Sequence, residues 1–149
     1  MLTLTEVEAL AREAHAAQTD KAGRPYTEHL RAVADGVAAR GGTEEQIAVA
    51  WLHDAIEDAA LSARWLTAAP LTDHTKALIR ALTKQQGEDP EAYALRILAT
   101  PGARLIKEAD LAHNADPARL AALDGPTRTR LTRKYATMRA LLGLTPDPT

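Results

Sequence analysis

The sequence contains no cysteine and no phenylalanine, and aromatic residues make up only 3% of its 149 residues. Without cysteine, the chain has no disulfide framework, no thiolate nucleophile and no cysteine-ligated metal. With so few aromatic residues, the core has to be built mainly from leucine, alanine, isoleucine and valine. Alanine and leucine lead the scale of helix propensity, so this composition favours helices over sheet.

Long apolar runs and an excess of one charge are also missing. No apolar stretch is long enough to span a bilayer, and the first residues lack the basic segment and apolar run of a signal peptide. The net charge is −2 and the sequence pI is about 6.2, which gives no global attraction to nucleic acid or to an anionic membrane. We therefore expect a cytoplasmic protein that binds neither nucleic acid nor membrane, although a local basic pocket for a small phosphorylated ligand remains compatible with this charge.

Helix start and stop signals predict one all-α domain, a compact bundle of seven to nine helices. No segment of real length alternates with the period of a strand, and we find no internal repeat or interdomain linker. The core is expected at residues 5–142, with residues 143–149 as a tail that frays. A capping box at Thr5 opens the first helix. The predicted helices span about 5–18, 26–40, 47–58, 61–66, 73–82, 90–98, 101–114 and 127–142.

Residues 51–58, with the sequence WLHDAIED, place four side chains that can bind a metal or a proton at the end of an apolar helix. On a continuous helix, His53 stacks with Glu57 and Asp54 stacks with Asp58, and the two pairs lie about one hundred degrees apart. Burying so many carboxylates is costly unless a cation or hydrogen bonds compensate. The alternative is that Glu57 and Asp58 form only the solvated end of an amphipathic helix.

A second candidate group consists of Asp110, His113 and Asn114 in the predicted helix over residues 101–114. Spacings of three and four residues allow these side chains to share one face, and Lys107 precedes Asp110 by one such step. The simpler alternative is that aspartate and asparagine near a helix end act only as caps.

The remaining histidines carry weaker signals. His29 lies just after the polar loop over residues 19–25, and a lone histidine early in a helix is more often a structural hydrogen bonder than a metal ligand. His15 and His74 have no partner that the sequence identifies, so we assign both to the surface or to hydrogen bonding in the core.

Three spaced blocks make the chain resemble the HD-domain phosphohydrolases. More narrowly, it resembles the hydrolase domain of the RelA/SpoT family and the free-standing small alarmone hydrolases. The first block, Gly-x-Pro-Tyr-x-x-His, stands at residues 23–29, and the central block, Leu-His-Asp-x-x-Glu-Asp, at residues 52–58. The third, Lys-x-Ala-Asp-x-x-His-Asn, stands at residues 107–114. The resemblance covers residues 8–142 and implies an all-helical fold of the HD-domain type.

The resemblance also implies a mononuclear site for a divalent metal ion. The positions that match the family's four ligands are His29, His53, Asp54 and Asp110. The metal of the family is usually manganese. Two imidazoles and two carboxylates, with positions left open for water and phosphate, suit a borderline-hard divalent ion, and zinc, iron or magnesium would also fit.

Residues around the metal acquire roles by the same resemblance. Glu57 and Asp58 match the acidic pair that positions or activates the attacking water. Lys21 and Asn114 match positions that contact the nucleotide, and Lys21 and Lys107 are expected to offset charge on the departing phosphate. The reaction of the family removes the 3′-pyrophosphate of guanosine tetra- or pentaphosphate, so the implied partner is a small phosphorylated nucleotide.

Two positions depart from the family pattern, and one of them is Leu111, which stands in the third block where arginine or lysine is typical. Family members carry Arg-Lys before the first block, and the arginine contacts the guanine base; here Asp20 precedes Lys21. An acid cannot stack on a base as a guanidinium does, and it repels phosphate. An HD-type nucleotide phosphatase or pyrophosphatase with a different substrate, and a nucleotide-binding module without turnover, therefore stay as alternatives. Arg24 in the same loop is a candidate replacement cation, while Lys84 and Arg96 either extend the basic rim of the pocket or form surface ion pairs.

Overall fold

The order of the helices follows the prediction closely in this computed structural model, which describes residues 1–144. Over that range the chain forms nine α-helices and no β-strand, apart from one isolated bridge between Thr19 and Pro25. The helices are α1 (Leu4–Ala14), α2 (Tyr26–Ala39), α3 (Glu44–Leu52), α4 (Ala63–Ala68), α5 (Asp73–Leu82), α6 (Pro90–Ala99), α7 (Ala103–Asn114), α8 (Pro117–Ala121) and α9 (Gly125–Leu141). The all-α prediction is confirmed, and residues 145–149 of the predicted tail lie outside the described residues.

Helix α3 lies at the centre of the core and packs against α1, α2, α5 and α7. Its residues Val49 and Leu52 are buried together with leucine, isoleucine, valine and alanine side chains from the neighbouring helices. Because α2 and α7 also pack against each other, polar residues on the inner faces of these helices meet: His29 on α2, His53 at the end of α3 and Asp110 on α7 are all buried. Within the described residues, no helix is both long enough and apolar enough to cross a membrane.

Helix α3 ends earlier than the sequence predicts. The apolar pattern predicts a helix to residue 58, but α3 ends at Leu52 and residues 53–59 form consecutive turns. Nδ1 of His53 lies 2.7 Å from the carbonyl oxygen of Ala50, which a continuing helix would use to bond the amide of residue 54. The histidine side chain therefore competes for the acceptor of the next helical hydrogen bond. The predicted continuous helix over His53, Asp54, Glu57 and Asp58 is therefore wrong, although the amide of Asp58 still donates to the carbonyl oxygen of Asp54 at 2.9 Å.

Helix α1 begins two residues earlier than the capping box at Thr5 predicts. Thr3 forms the capping box instead: the amide of Glu6 donates to Oγ1 of Thr3 at 3.1 Å, and the amide of Thr3 donates to Oε1 of Glu6 at 3.1 Å. The amide of Leu2 also donates to the carbonyl oxygen of Pro70 at 2.9 Å. This tertiary contact anchors the chain before the helix and favours the earlier start.

The other differences are small shifts and one additional helix. Helix α4 lies two residues later than predicted because the hydroxyl of Ser62 caps it. Helix α7 starts at Ala103 because Gly102 adopts a φ of 93°, a left-handed conformation that ends the preceding turn. Helix α8 is absent from the prediction, although Asp116 followed by Pro117 repeats the cap-and-proline signal that predicts α6.

The end of α2 offers a test of this packing. The amide of Gly42 donates to the carbonyl oxygen of Val37 at 2.9 Å, and a Cβ atom at position 42 would lie 2.9 Å from that oxygen and collide with Cγ1 of Val37. We expect Gly42→Ala to lower the free energy of unfolding by about 1–3 kcal/mol, as overpacking does, measured by urea denaturation. Gly125→Ala is the control, because a Cβ there meets only Arg128, at 3.9 Å. Equal stabilities of the two variants would contradict this view of the packing.

Candidate metal centre

Four side chains from three parts of the chain converge where α2, α3 and α7 meet. Each contributes one ligand-type atom, and these atoms all lie within 4.8 Å of one another. The residues are His29, His53, Asp54 and Asp110. Nε2 of His29 lies 3.0 Å from Oδ1 of Asp110. Nε2 of His53 lies 3.2 Å from the same oxygen and 3.0 Å from Oδ2 of Asp54. The structure thus brings together all four residues that the sequence proposes as metal ligands.

Each imidazole of the cluster is held by its other ring nitrogen. A carbonyl oxygen only accepts, so Nδ1 of His53 donates to Ala50, and its Nε2 faces the two carboxylates of the cluster. Nδ1 of His29 lies 2.8 Å from Nδ1 of His113. Burial and then Arg119 lower the pKa of His113 to about 4, so its neutral ring accepts a hydrogen bond from NH1 of Arg119. The same NH1 lies 3.0 Å from Nδ1 of His29. Nε2 of each cluster histidine therefore faces Oδ1 of Asp110, where a bound cation would take the place of a proton.

The cluster also stabilises positive charge. Burial alone would raise the pKa of Asp54, but His53 outweighs it and lowers this pKa to about 2. Burial likewise disfavours the ionised form of Asp110, yet Lys107 and the two histidines hold its pKa well below the ordinary value. Burial lowers the pKa of His53, and the two carboxylates reverse this and raise it well above normal. Two imidazole nitrogens and two ionised carboxylates make a donor set that fits a divalent ion of intermediate hardness.

Tyr26, the first residue of α2, holds one carboxylate of the cluster from the side. Its hydroxyl donates a hydrogen bond to Oδ2 of Asp54. Burial and then the charge of Asp54 raise the pKa of Tyr26, so the phenol remains a donor. The first sequence block contains Tyr26 but assigns it no role. Its spacing of three residues from His29, which puts both on one face of α2, is the signal that points to it.

Lys107 and Asn114 contact Asp110 and also line the adjacent pocket. Nζ of Lys107 donates to Oδ2 of Asp110 at 2.9 Å, and Nδ2 of Asn114 donates to Oδ1 at 3.3 Å. Burial alone would lower the pKa of Lys107, but Asp110 outweighs it and raises this pKa. The two residues expected to contact a substrate therefore also hold Asp110 in place.

Glu57 and Asp58 lie outside the four-residue cluster but line the same pocket. Oε1 of Glu57 accepts a hydrogen bond from the amide of Lys84 at 2.8 Å, and Oδ2 of Asp58 accepts one from Nε2 of Gln18 at 3.0 Å. Burial raises the pKa of both carboxyls. A carboxylate with a raised pKa is a stronger base, which is the property needed to take a proton from water.

A pocket of about 1180 Å³ opens beside the cluster, with Asp54 and Asp110 in its wall. The wall also carries a set of cations: Lys21, Lys84, Lys107, Arg119, Arg130, Arg133 and Lys134. Burial and then Lys84 and Lys107 lower the pKa of Lys134, so these ammonium groups lie close enough to repel one another. A basic wall of this kind suits a ligand with several negative charges.

Asp20 holds the loop before α2 and an arginine of the pocket wall. Its Oδ1 accepts hydrogen bonds from the amides of Ala22 and Arg24, each at 2.9 Å, and its Oδ2 accepts one from Arg119 at 3.2 Å. Arg24 instead pairs with Glu28 at 2.7 Å, and it is not part of the pocket wall that the described residues form. The hypothesis that Arg24 supplies the replacement cation is therefore wrong, and Arg119 from α8 stands beside Asp20.

The structure also decides between the alternatives that the sequence leaves open for Arg96, Lys84, His74 and His15. Arg96 pairs with Glu88, with NH2 to Oε1 at 2.9 Å, whereas Lys84 lines the pocket. His74 is exposed, while His15 is buried, with 1% of its surface exposed.

Comparison with known proteins agrees with this geometry. The profile of the HD domain matches residues 8–89, more than half of the chain, and the chain therefore belongs to the HD-domain family. Over 74 residues it is 38% identical to a protein of Synechocystis sp. named as a probable guanosine-3′,5′-bis(diphosphate) 3′-pyrophosphohydrolase. That similarity covers 50% of this chain and 10% of the relative, so the chain spans about a tenth of the relative's length. The predicted resemblance to HD-domain phosphohydrolases is confirmed.

Proposed function

We propose that this protein is a metal-dependent phosphohydrolase and that residues 5–142 form its one catalytic domain. The proposed metal ligands are His29, His53, Asp54 and Asp110. The observation that carries the proposal is the convergence of their four ligand-type atoms within 4.8 Å, beside a pocket with a basic wall. Membership of the HD-domain family supports it.

A divalent ion bound at this cluster would act as a Lewis acid on a phosphoryl oxygen and lower the pKa of a bound water. The protein's own side chains would accept the proton, orient the water and offset the developing charge. Glu57, whose pKa burial raises, would take the proton of the attacking water, and Asp58 would orient that water. Water would attack phosphorus and the bond from phosphorus to the ester oxygen would break. The ester oxygen would leave with the alcohol part of the substrate and take up a proton from solvent, while Lys21 and Lys107 would offset the charge on the released phosphate.

We propose guanosine tetra- or pentaphosphate as the substrate, with the 3′-pyrophosphoryl group transferred to water and released as pyrophosphate. The three sequence blocks and the similarity to the named pyrophosphohydrolase support this choice. The pocket supports it as well, because its volume of about 1180 Å³ can hold a whole nucleotide and its basic wall extends from Lys21 to α9. Manganese is the proposed metal, since the donor set suits a borderline-hard ion.

The contacts of Asp20 favour a second candidate, an HD-type phosphatase or pyrophosphatase that acts on another nucleotide. In place of a guanidinium that could stack on guanine, this position carries a carboxylate that is bound to Arg119. A different base, or none, would then be recognised at this end of the pocket.

One assay separates these candidates. The purified protein with Mn²⁺ is incubated with guanosine tetraphosphate and a panel of other nucleotides, and phosphate and pyrophosphate are measured separately. We expect release of pyrophosphate from guanosine tetraphosphate, which His53→Ala abolishes and His74→Ala, a change of the same type at an exposed site, leaves intact. Faster hydrolysis of another nucleotide would favour the second candidate. Tight nucleotide binding without hydrolysis under any divalent metal would favour a binding module.

A further inference from the structure

His15 is a buried histidine that neither the metal cluster nor the pocket wall includes. Its ring, at the C-terminal end of α1, is 1% exposed and stacks on Tyr26 with 5.4 Å between ring centroids. Nδ1 lies 2.7 Å from Oε1 of Gln18. Nε2 is buried and has no hydrogen-bond partner among the described residues. Burying a polar atom without a partner costs about 1–3 kcal/mol, so an apolar side chain would suit this part of the core better unless Nδ1 is needed.

Gln18 connects His15 to Asp58. Nε2 of Gln18 donates to Oδ2 of Asp58 at 3.0 Å, and an ionised carboxylate only accepts. The amide nitrogen of Gln18 must therefore face Asp58, which leaves its oxygen facing His15. Because that oxygen also only accepts, the hydrogen of His15 must lie on Nδ1. The three side chains thus form one directed chain of hydrogen bonds.

Asp58 depends on such support because of where it lies. Residues 53–59 form turns after α3 has ended. Ala59, which follows Asp58, has a φ of 58°, a backbone conformation that residues other than glycine rarely adopt. No regular helix therefore holds Asp58 in this segment. Its carboxylate is oriented by contacts with other parts of the chain, and Gln18, 40 residues away, supplies one of them.

We infer that His15 and Gln18 are positioning residues for Asp58. His15 holds the amide of Gln18, and Gln18 holds Oδ2 of Asp58, which leaves Oδ1 to accept a hydrogen bond from the attacking water. This inference rests on the proposed function, because it assigns Asp58 to that water. It extends the proposed machinery to the end of α1.

Two variants separate positioning from simple packing. His15→Leu keeps an apolar bulk against Tyr26 but removes the donor. His15→Asn loses the ring, but the amide nitrogen of asparagine takes the place of Nδ1 and retains the donor. Positioning predicts that asparagine preserves turnover and leucine does not. A packing role alone predicts the opposite order.

The experiment measures kcat, KM, the affinity for Mn²⁺ and the melting temperature of both variants. For His15→Leu we expect kcat to fall about tenfold with KM and Mn²⁺ affinity unchanged, since only an interaction in the transition state is lost. Its melting temperature should stay the same or rise, because Nε2 is no longer buried. His15→Asn should keep most of kcat at a lower melting temperature. The inference is wrong if His15→Leu keeps wild-type turnover, or if both variants lower turnover equally. Either result leaves the proposed function unaffected.

A second measurement does not depend on turnover. Nitrogen NMR of the metal-free protein reports which ring nitrogen of His15 carries the hydrogen, and we expect Nδ1. A hydrogen on Nε2 overturns the inference whether or not a substrate is known. If the wild type hydrolyses no nucleotide, the proposed function fails, but the positioning can still be tested. It is supported if His15 has the expected tautomer and the carboxyl carbon resonance of Asp58 moves in His15→Leu but not in His15→Asn.

Discussion

Asp110→Asn should abolish Mn²⁺ binding and lower the turnover of phosphorylated substrate by about a thousandfold or more. Oδ1 of Asp110 lies 3.0 Å and 3.2 Å from Nε2 of His29 and of His53, so this oxygen is central to the cluster. An amide oxygen keeps the shape but removes the negative charge that a divalent cation needs. Loss of a Lewis acid removes several kcal/mol of transition-state stabilisation, and each 1.36 kcal/mol corresponds to about tenfold in rate. Isothermal titration with Mn²⁺ and steady-state kinetics measure the two effects.

The Asp110 variant needs a control for stability, because Lys107 is its ion-pair partner at 2.9 Å. Removing one partner of a buried pair leaves the other charge uncompensated and costs about 3–5 kcal/mol. In the double variant Asp110→Asn with Lys107→Met, the unpaired ammonium is gone. We expect the double variant to melt at a higher temperature than Asp110→Asn and still to bind no Mn²⁺. A folded Asp110→Asn protein with wild-type Mn²⁺ affinity would contradict the assignment of this ligand.

Glu57→Gln should lower kcat by about a hundredfold to ten-thousandfold, the range of general base catalysis, while Mn²⁺ affinity stays unchanged. Glu57 lies outside the cluster of ligand-type atoms, so its charge can be removed without removing a ligand. Glutamine also retains an oxygen that can accept the hydrogen bond from the amide of Lys84, so the local structure should persist. Kinetics under saturating Mn²⁺ give kcat, and calorimetry gives the affinity.

A surface substitution of the same kind, Glu91→Gln, provides the comparison, because Glu91 is exposed on α6. It should leave kcat and Mn²⁺ affinity unchanged. Asp58→Asn tested in parallel distinguishes the two acidic residues. If Glu57→Gln retains full kcat and Asp58→Asn does not, the proton goes to Asp58 and the roles proposed for the pair are reversed.

Local signals predict much of the fold. The bounds of α2, α5 and α6 differ from the predicted ones by at most one residue, because caps, glycine pairs and proline act within a single turn. The end of α3 could not be predicted in this way. Its apolar pattern continues past Leu52, and the interruption comes from the side chain of His53 bonding to the carbonyl of Ala50. Hydrophobic periodicity carries no information on such competition.

The candidate site also combines features that local sequence predicts with contacts that it does not predict. Blocks of sequence identify the proposed ligands and the acidic pair, because each block is local. The contacts that hold them join distant residues: Tyr26 with Asp54, 28 positions apart, and Asp20 with Arg119, 99 positions apart. These contacts arise only when helices pack, and no spacing rule within one helix indicates them. For the same reason the cation that pairs with Asp20 comes from α8, a helix absent from the prediction, and not from the adjacent Arg24.

The distance along the chain between the proposed ligands has a consequence for folding. His29 and Asp110 are 81 positions apart, and they approach each other only after α2, α3 and α7 have assembled. The complete set of four ligands does not exist in the unfolded chain, so an ion meets all four only after these helices have packed. It binds the finished structure and shifts the folding equilibrium by mass action, by about 2.7 kcal/mol when free metal exceeds its dissociation constant a hundredfold. On the proposed assignment, metal availability would control how much of the protein is folded as well as how much of it is active.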